Sequence, residues 1–168
     1  MDYPLEDLVA HFQLQPHPEG GYFRETYRSE TTLPAEQLSG DHSGPRNLST
    51  CIYFLLTAGN FSAFHRIQQD EGWHFYHGAP LLLHIITPEG HYQKHHIGTD
   101  FRAGQVPQYV VPGGCWFAAE VTTARAYSFI GCTVAPGFHF DDFELARRQE
   151  LQAAFPQHQA LIERLTRV

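Results

Sequence analysis

The residues best suited to chemistry cluster between Gly59 and Gly78, where His65 and Glu71 flank the polar turn Gln68-Gln69-Asp70. If 61–67 is a strand with His65 inward, alternation puts Phe61, Ala63 and Ile67 on the same face. A following strand over 71–77 then sends Glu71, Trp73, Phe75 and His77 inward, and His74 and Tyr76 outward. A buried histidine beside a carboxylate is held in one tautomer with raised basicity, the condition a general base needs. His65 and Glu71 are therefore the candidate catalytic residues. Trp73 and Phe75 would wall a pocket suited to a planar or ring-shaped ligand. Tyr53 and Arg24 complete the candidate ligand-binding set. The bland alternatives are a satisfied pocket histidine and a Glu71 that only ion-pairs with Arg24 or Arg66.

The elements that must position these residues follow from punctuation and periodicity. Leu5, Leu8, Val9 and Phe12 share one helical face after Pro4, predicting a short opening helix. Pro16-His17-Pro18-Glu19-Gly20-Gly21 reads as a turn, and 22–27 as a strand. Pro34, Gly40, Gly44 and Pro45 mark 33–47 as a loop. Short β-like runs follow at 49–57, 61–67, 71–77, 81–86, 91–97, 107–111, 115–121 and 126–134, the spacing of a sandwich or barrel. Asp141 and Glu144 resemble a capping box that opens a helical tail. Pro156 breaks this tail before Leu161, Ile162 and Leu165. The result is one domain over 1–168: N-terminal helix and strand at 4–27, barrel core at 48–134 and C-terminal helices at 141–167.

Composition narrows the function classes. The 168 residues carry a net charge of −7, which argues against a nucleic-acid partner because nothing offsets phosphate repulsion. The longest strictly apolar run, Cys51 to Leu56, is far short of the ~20 residues of a membrane-spanning helix. Residues 1–7 lack the basic and apolar regions of a signal peptide. Cys51, Cys115 and Cys132 form no CxxC pair and sit in apolar runs, as reduced thiols of a cytoplasmic protein do. Only 17% of residues are charged, and several strands are apolar on both faces, so a homodimer burying one sheet is expected. Twelve histidines invite a metal reading, but His91, His95 and His96 fall in a polar hairpin-like stretch and read as surface.

The His65–Glu71 region resembles the first motif of the cupin superfamily: Gly, five residues, His-x-His, three or four residues, Glu, six residues, Gly. Here Gly59, His65, Glu71 and Gly78 keep that spacing, with Ile67 at the second His. The second motif is matched from Pro112-Gly113-Gly114 onward, with Phe117 at its His and Val121 at its Asn, while Val106 stands at its Gly. A closer resemblance, over nearly the whole chain, is to the uncharacterised cupin type 5 family. It is carried by His17–Glu25, Ser62–Arg66, Asp70–Tyr76, Val111–Ala119 and Gly131–Phe138. The resemblance implies an all-β, double-stranded β-helix (jelly-roll) barrel with short terminal helices. The Pro18–Gly21 segment, a hallmark stretch with no apolar packing role, hints at a pocket lid.

A typical cupin metal centre uses three His and one Glu, and only His65 and Glu71 of those four remain. Two protein ligands seldom hold a catalytic divalent ion, for which three plus water is usual. No cofactor is expected, and a divalent metal on His65 and Glu71 is the minor alternative. His77 lies too far along its strand to share an ion with Glu71, and His74 has the wrong parity. Metal-free cupins include deoxysugar-nucleotide epimerases, whose catalytic His resembles His65 in position. That likeness implies an isomerase or epimerase acting on a sugar-like or nucleotide-linked small molecule. His65 would take a proton alpha to a carbonyl, and Tyr53 or Tyr127 would return it. The alternatives are a metabolite-binding module without turnover, for a nucleobase or sugar, and a metal-dependent oxygenase or lyase.

Overall fold

The computed structural model describes residues 3–40 and 42–167. Met1 and Asp2, the first residues of the stretch read for a signal peptide, lie outside that range, as does Asp41 of the expected loop. In chain order the strands open with β1 (Gln15–Pro16), β2 (Tyr22–Arg28), β3 (Thr32–Leu33), β4 (Arg46–Asn47) and β5 (Thr50–Thr57). They continue with β6 (Phe61–Arg66), β7 (Asp70–Gly78), β8 (Leu81–Ile86) and β9 (Tyr92–Ile97). Last come β10 (Gln108–Val111), β11 (Trp116–Val121), β12 (Tyr127–Ala135) and β13 (Glu144–Leu145). The eight core strands expected from turn signals are all present, each within about one residue of the expected bounds.

Two antiparallel sheets face each other, ordered β1-β2-β5-β12-β7-β10 and β13-β6-β11-β8-β9. Their inner faces meet in a core built from Phe54, Trp73, Leu83, Ile85, Phe117 and Ile130, among others. Because β5, β8 and β11 are apolar on both sides, each sheet needs outer cover too. Helix α1 (Leu5–His11) packs Leu5, Leu8, Val9 and the following Phe12 onto Leu55 and Phe129 of the six-stranded sheet. Helices α2 (Arg148–Ala154) and α3 (Gln159–Arg164) bring Leu151 and Ile162 against Phe64, Ile86 and Trp116 on the other.

The tail departs from expectation. Asp141 and Glu144 do not cap a helix; α2 begins only at Arg148. Asp142 instead sinks into a buried ion pair with Arg46, at 2.6 Å, and Glu144 extends beside β6 to meet Arg66. Long-range partners here outcompete a local capping signal worth only about 1 kcal/mol.

Two β-bulges reset the side-chain alternation that the sequence implies. Phe117 pairs with His65 but Ala119 pairs with Ser62, so β6 carries one extra residue at Ala63-Phe64. Ser62 and His65 consequently both face inward, while Phe61 and Phe64 pack under the C-terminal helices. In β7, Phe129 pairs with His77 and Ile130 with Phe75, leaving Tyr76 bulged. His77 thereby turns to the outer face beside Tyr3 and Tyr127 rather than inward. Gly131 makes room for Tyr76, since a Cβ there would strike its hydroxyl oxygen. Among the described residues, no helix is long and apolar enough to cross a membrane.

Candidate functional site

One end of the barrel opens into a cavity of about 490 Å³, a size typical of small-molecule sites. Its floor is polar and buried: Glu19, His65 and Glu71, with Cys132 beside them. Phe23, Phe138, Phe140 and Phe143 form much of its wall, and Glu25, Arg28 and His139 stand at the exposed rim.

The His17–Gly21 turn supplies the largest surprise. Gly20 and Gly21 adopt φ of +120° and +77°, conformations that L side chains rarely take, and a Cβ on Gly20 would strike the Phe61 carbonyl. That turn dips Glu19 into the floor. Ala63 N–H and the Arg167 guanidinium both donate to the Glu19 carbonyl, pinning the turn to β6 and the C-terminus. Glu19 Oε2 lies 2.9 Å from His65 Nε2, and both side chains are buried.

The tautomers follow from the partners. His65 Nδ1 lies 2.8 Å from the Ala63 carbonyl, which can only accept, so Nδ1 carries a proton. Nε2 then shares a second proton with Glu19. Burial alone would lower the His65 pKa, but the charge and hydrogen bond of Glu19, with Glu71 behind them, raise it above the usual value. Burial opposes ionisation of Glu19 too, yet His65, His17 and Ser62 hold its carboxyl below the ordinary range. The pair is an imidazolium–carboxylate. Both His65 ring nitrogens are thus engaged, Nδ1 by the Ala63 carbonyl and Nε2 by Glu19.

Glu71 differs. Burial pushes its carboxyl up to about 7, with His65 opposing and the Glu19 charge adding to the rise. The neighbouring Cys132 thiol is pushed well above its normal range, first by burial and then by Glu71, and so stays a protonated donor. A carboxyl half-ionised at neutral pH inside a cavity is poised to both take and return a proton. His17 adds a neutral donor: its Nδ1 accepts from the Glu19 N–H, which leaves the proton on Nε2. Burial, ahead of the opposing charge of Glu19, lowers its pKa and keeps the ring neutral.

The expected site residues separate under this geometry. His65 and Glu71 meet at the floor, and Phe117 packs on His65 with ring centroids 4.1 Å apart. Trp73 and Phe75 face inward but belong to the packed core rather than the cavity lining. Tyr53 lies on the outer face against Phe12 and Phe129, because its neighbour Phe54 takes the inward position. Arg24 is exposed on that same side and donates to the Phe12 carbonyl. Tyr127 packs at the outer face as well, its hydroxyl accepting from Tyr3 N–H. Neither tyrosine can return a proton in the cavity. His74 bonds Thr133 outside the barrel, and His95 stacks half-buried on Tyr109.

The lid reading brings Pro18–Gly21 to the pocket, and Glu19 does line the cavity, but as part of the floor; its pairing with His65, and the place of His17, escape the sequence because nothing local joins them. The one available signal is an acidic residue set before two glycines, Glu19-Gly20-Gly21, in a segment without apolar packing. Phe138, Phe140 and Phe143 are equally remote in sequence from the floor they cover.

A four-ligand metal centre does not fit this floor. Ile67 lines the cavity where a ligating histidine would stand, and Phe117 offers only a ring face to His65. His65 Nε2 points at Glu19, and among the described residues no group of three His, Cys, Asp or Glu is arranged to hold an ion.

Two facing antiparallel sheets, with a His–Glu pair on the floor of the cavity at one end, define a cupin-type barrel. The chain belongs to the family described as Cupin superfamily (DUF985), which matches residues 6–146. It is 31% identical to the uncharacterised protein YML079W of Saccharomyces cerevisiae over 163 residues, covering 87% of this chain and 77% of that one. Protein SO0799 of Shewanella oneidensis is similar at 41% identity and a TM-score of 0.87, over 99% of both chains. A hypothetical protein of Leishmania major gives 33% identity and a TM-score of 0.90, over 99% of this chain and 100% of that one. The fold is also that of oxalate decarboxylase from Bacillus subtilis, at 13% identity and a TM-score of 0.54, across 89% of this chain and 36% of that one.

Proposed function

We propose that this cupin binds a small carbonyl compound and catalyses metal-independent proton transfer on it, as an isomerase or epimerase of sugar-like molecules. The observation that carries the reading is Glu71, a buried carboxyl with a pKa of about 7 facing the His65–Glu19 ion pair across the cavity floor. Glu71 as carboxylate takes the proton from the carbon alpha to the carbonyl. The electron pair moves onto the carbonyl oxygen, and the enolate formed is met by the Nε2–H donor of His17 and by the positive charge held at His65. Glu71, now the acid, returns the proton to the neighbouring former carbonyl carbon while the hydroxyl proton passes to the former carbonyl oxygen, which gives the isomer; epimerisation needs the enolate to turn its other face to Glu71 before the proton returns. Triosephosphate isomerase solves the same chemical problem with a carboxylate base and a neutral histidine donor.

The test is solvent exchange. The protein is incubated in deuterated water with a panel of neutral, phosphorylated and nucleotide-linked sugars, and carbon-bound deuterium is read by NMR. Incorporation that is lost in Glu71→Gln and in His65→Ala supports the reading; no incorporation into any member overturns it. A second reading, capture of a metabolite without turnover, draws on the saturation of both His65 ring nitrogens. Binding of a sugar or nucleobase with no exchange would favour it. The three cysteines are free among the described residues, in keeping with a cytoplasmic protein.

A further inference from the structure

Whatever enters the cavity must suit its charges, and these are one-sided. Three carboxyl groups line it: Glu19 and Glu71 on the floor and Glu25 at the rim. The lining guanidinium, Arg28, has four of its five N–H groups engaged. Its Nε and Nη2 donate to the two oxygens of Glu25 at 2.9 and 2.7 Å, and its Nη1 donates to Asn47 Oδ1 and to the Phe138 carbonyl. The His65 protons are shared with Ala63 and Glu19. At the rim, His139 Nδ1 accepts from the Asp141 N–H at 3.2 Å. Among the described lining residues, then, Arg28 and His65 are each already paired with a carboxylate, Glu25 and Glu19, and neither stands as a free counter-charge for a phosphate or carboxylate. An anion here would lose its hydration, face two floor carboxyls and meet charged donors that are already paired with carboxylates.

The groups that are uncommitted are neutral. His17 Nε2–H is a donor without a protein acceptor among the described contacts, set in a ring of Phe23, Phe54, Phe140 and Phe143. Glu71 can donate or accept according to its proton. The aromatic wall offers flat apolar faces on which the C–H face of a sugar ring can stack. These are the requirements of a hydroxylated, uncharged molecule.

Resting on the proton-transfer reading of the same site, we infer that the cavity takes an uncharged hydroxylated carbonyl compound of monosaccharide size and rejects phosphorylated, carboxylated and nucleotide-linked sugars. Glu25 is the specificity-determining residue at the rim, because it occupies the guanidinium that an anion would otherwise recruit.

The experiment compares matched probes on the full chain by titration calorimetry and ligand-observed NMR. The panel holds free aldoses and ketoses, including 6-deoxy sugars, with the 6-phosphate, uronate and nucleoside-diphosphate forms of the same sugars. A neutral member should bind at least about tenfold more tightly than its anionic counterparts, the scale of one unpaired buried polar contact. Glu25→Gln, an exposed change that leaves the core intact, should narrow that ratio by freeing Arg28. Equal or tighter binding of the anionic forms overturns the inference, and so does the absence of binding by every neutral member. The two readings fail separately: a neutral sugar that binds without deuterium exchange keeps this inference and removes the isomerase. An anionic sugar that exchanges does the reverse.

Discussion

Ala63 ties Glu19 to His65 through its own backbone: its N–H donates to the Glu19 carbonyl at 2.9 Å, and its carbonyl accepts from His65 Nδ1 at 2.8 Å. The β6 bulge makes this possible, since there one residue's two peptide groups serve the turn and the imidazole together. The His65–Glu19 contact at 2.9 Å is thus set by main-chain geometry rather than by two mobile side chains meeting.

Glu19→Gln should remove the charge that holds the His65 pKa above normal, leaving burial to drive it down. Breaking a buried pair of this kind costs roughly 3–5 kcal/mol. The sign follows from both partners. The depressed Glu19 carboxyl contributes above its ordinary 4.5, and this is lost as pH falls through its lower folded value. The raised His65 contributes below its ordinary 6.5, and this is lost as pH rises through its higher folded value. Urea unfolding across pH should therefore show the largest wild-type advantage over the variant between those two ordinary values. A flat difference across pH would contradict the ion pair.

Glu71→Gln should act in the opposite sense on stability. A carboxyl raised from 4.5 to about 7 in the folded state opposes folding once it ionises, by roughly 3 kcal/mol at alkaline pH. Wild type should lose stability as pH climbs from 4.5 through 7, and the variant should lose less. Catalysed exchange should vanish in the variant, and in wild type it should rise with an inflection near pH 7.

Restoring the missing ligand positions tests the metal argument. Metal analysis of protein purified without chelator should give a substoichiometric divalent ion for the wild type. Ile67→His combined with Phe117→His, which surrounds His65 and Glu71 with two further imidazoles, should raise that content towards one ion per chain. A stoichiometric ion in the wild type, lost in Glu71→Gln, would show that His65 and Glu71 hold a metal after all.

Asp142→Asn should loosen the aromatic wall of the cavity. Asp142 accepts from Arg46 and Gln69 at its buried position between Phe140 and Phe143, and His42 lies 3.2 Å from it. Burial would raise its carboxyl, but those hydrogen bonds, Arg46 foremost, bring it down to about 2. The stabilisation, at most about 2 kcal/mol by this shift, is present above pH 3.8 and lost towards pH 2. Acid unfolding of the variant should begin at higher pH than that of wild type.

Sedimentation tests the proposed homodimer. Tyr27 and Tyr76 are 53% and 51% exposed on strands of the six-stranded sheet, beyond the cover that α1 gives to Tyr53 and Phe129. A dimer that dissociates in Tyr76→Glu would place the interface there; a monomeric wild type at micromolar concentration would remove the proposal.

Much of this molecule was legible in one dimension. Strand limits follow from turn residues and β-branched or aromatic runs, which act locally, and they hold from Thr50 to Ala135. The spacing of Gly59, His65, Glu71 and Gly78, and the apolar Ile67 and Phe117 at ligand positions, are plain in the chain itself. Tertiary structure alone decided which of these residues share the cavity. The extra residue in β6 exchanged Phe61 for Ser62 on the inner face, and alternation has no means to announce a bulge. Glu19 reaches His65 only because a distant turn folds onto β6, and Tyr53 and Arg24 are lost to the outer face by strand parity. Local chemistry selects the elements, while burial and charge, which depend on everything packed around a group, push the Glu71 carboxyl up to about 7 and hold the His65 pKa above its ordinary value.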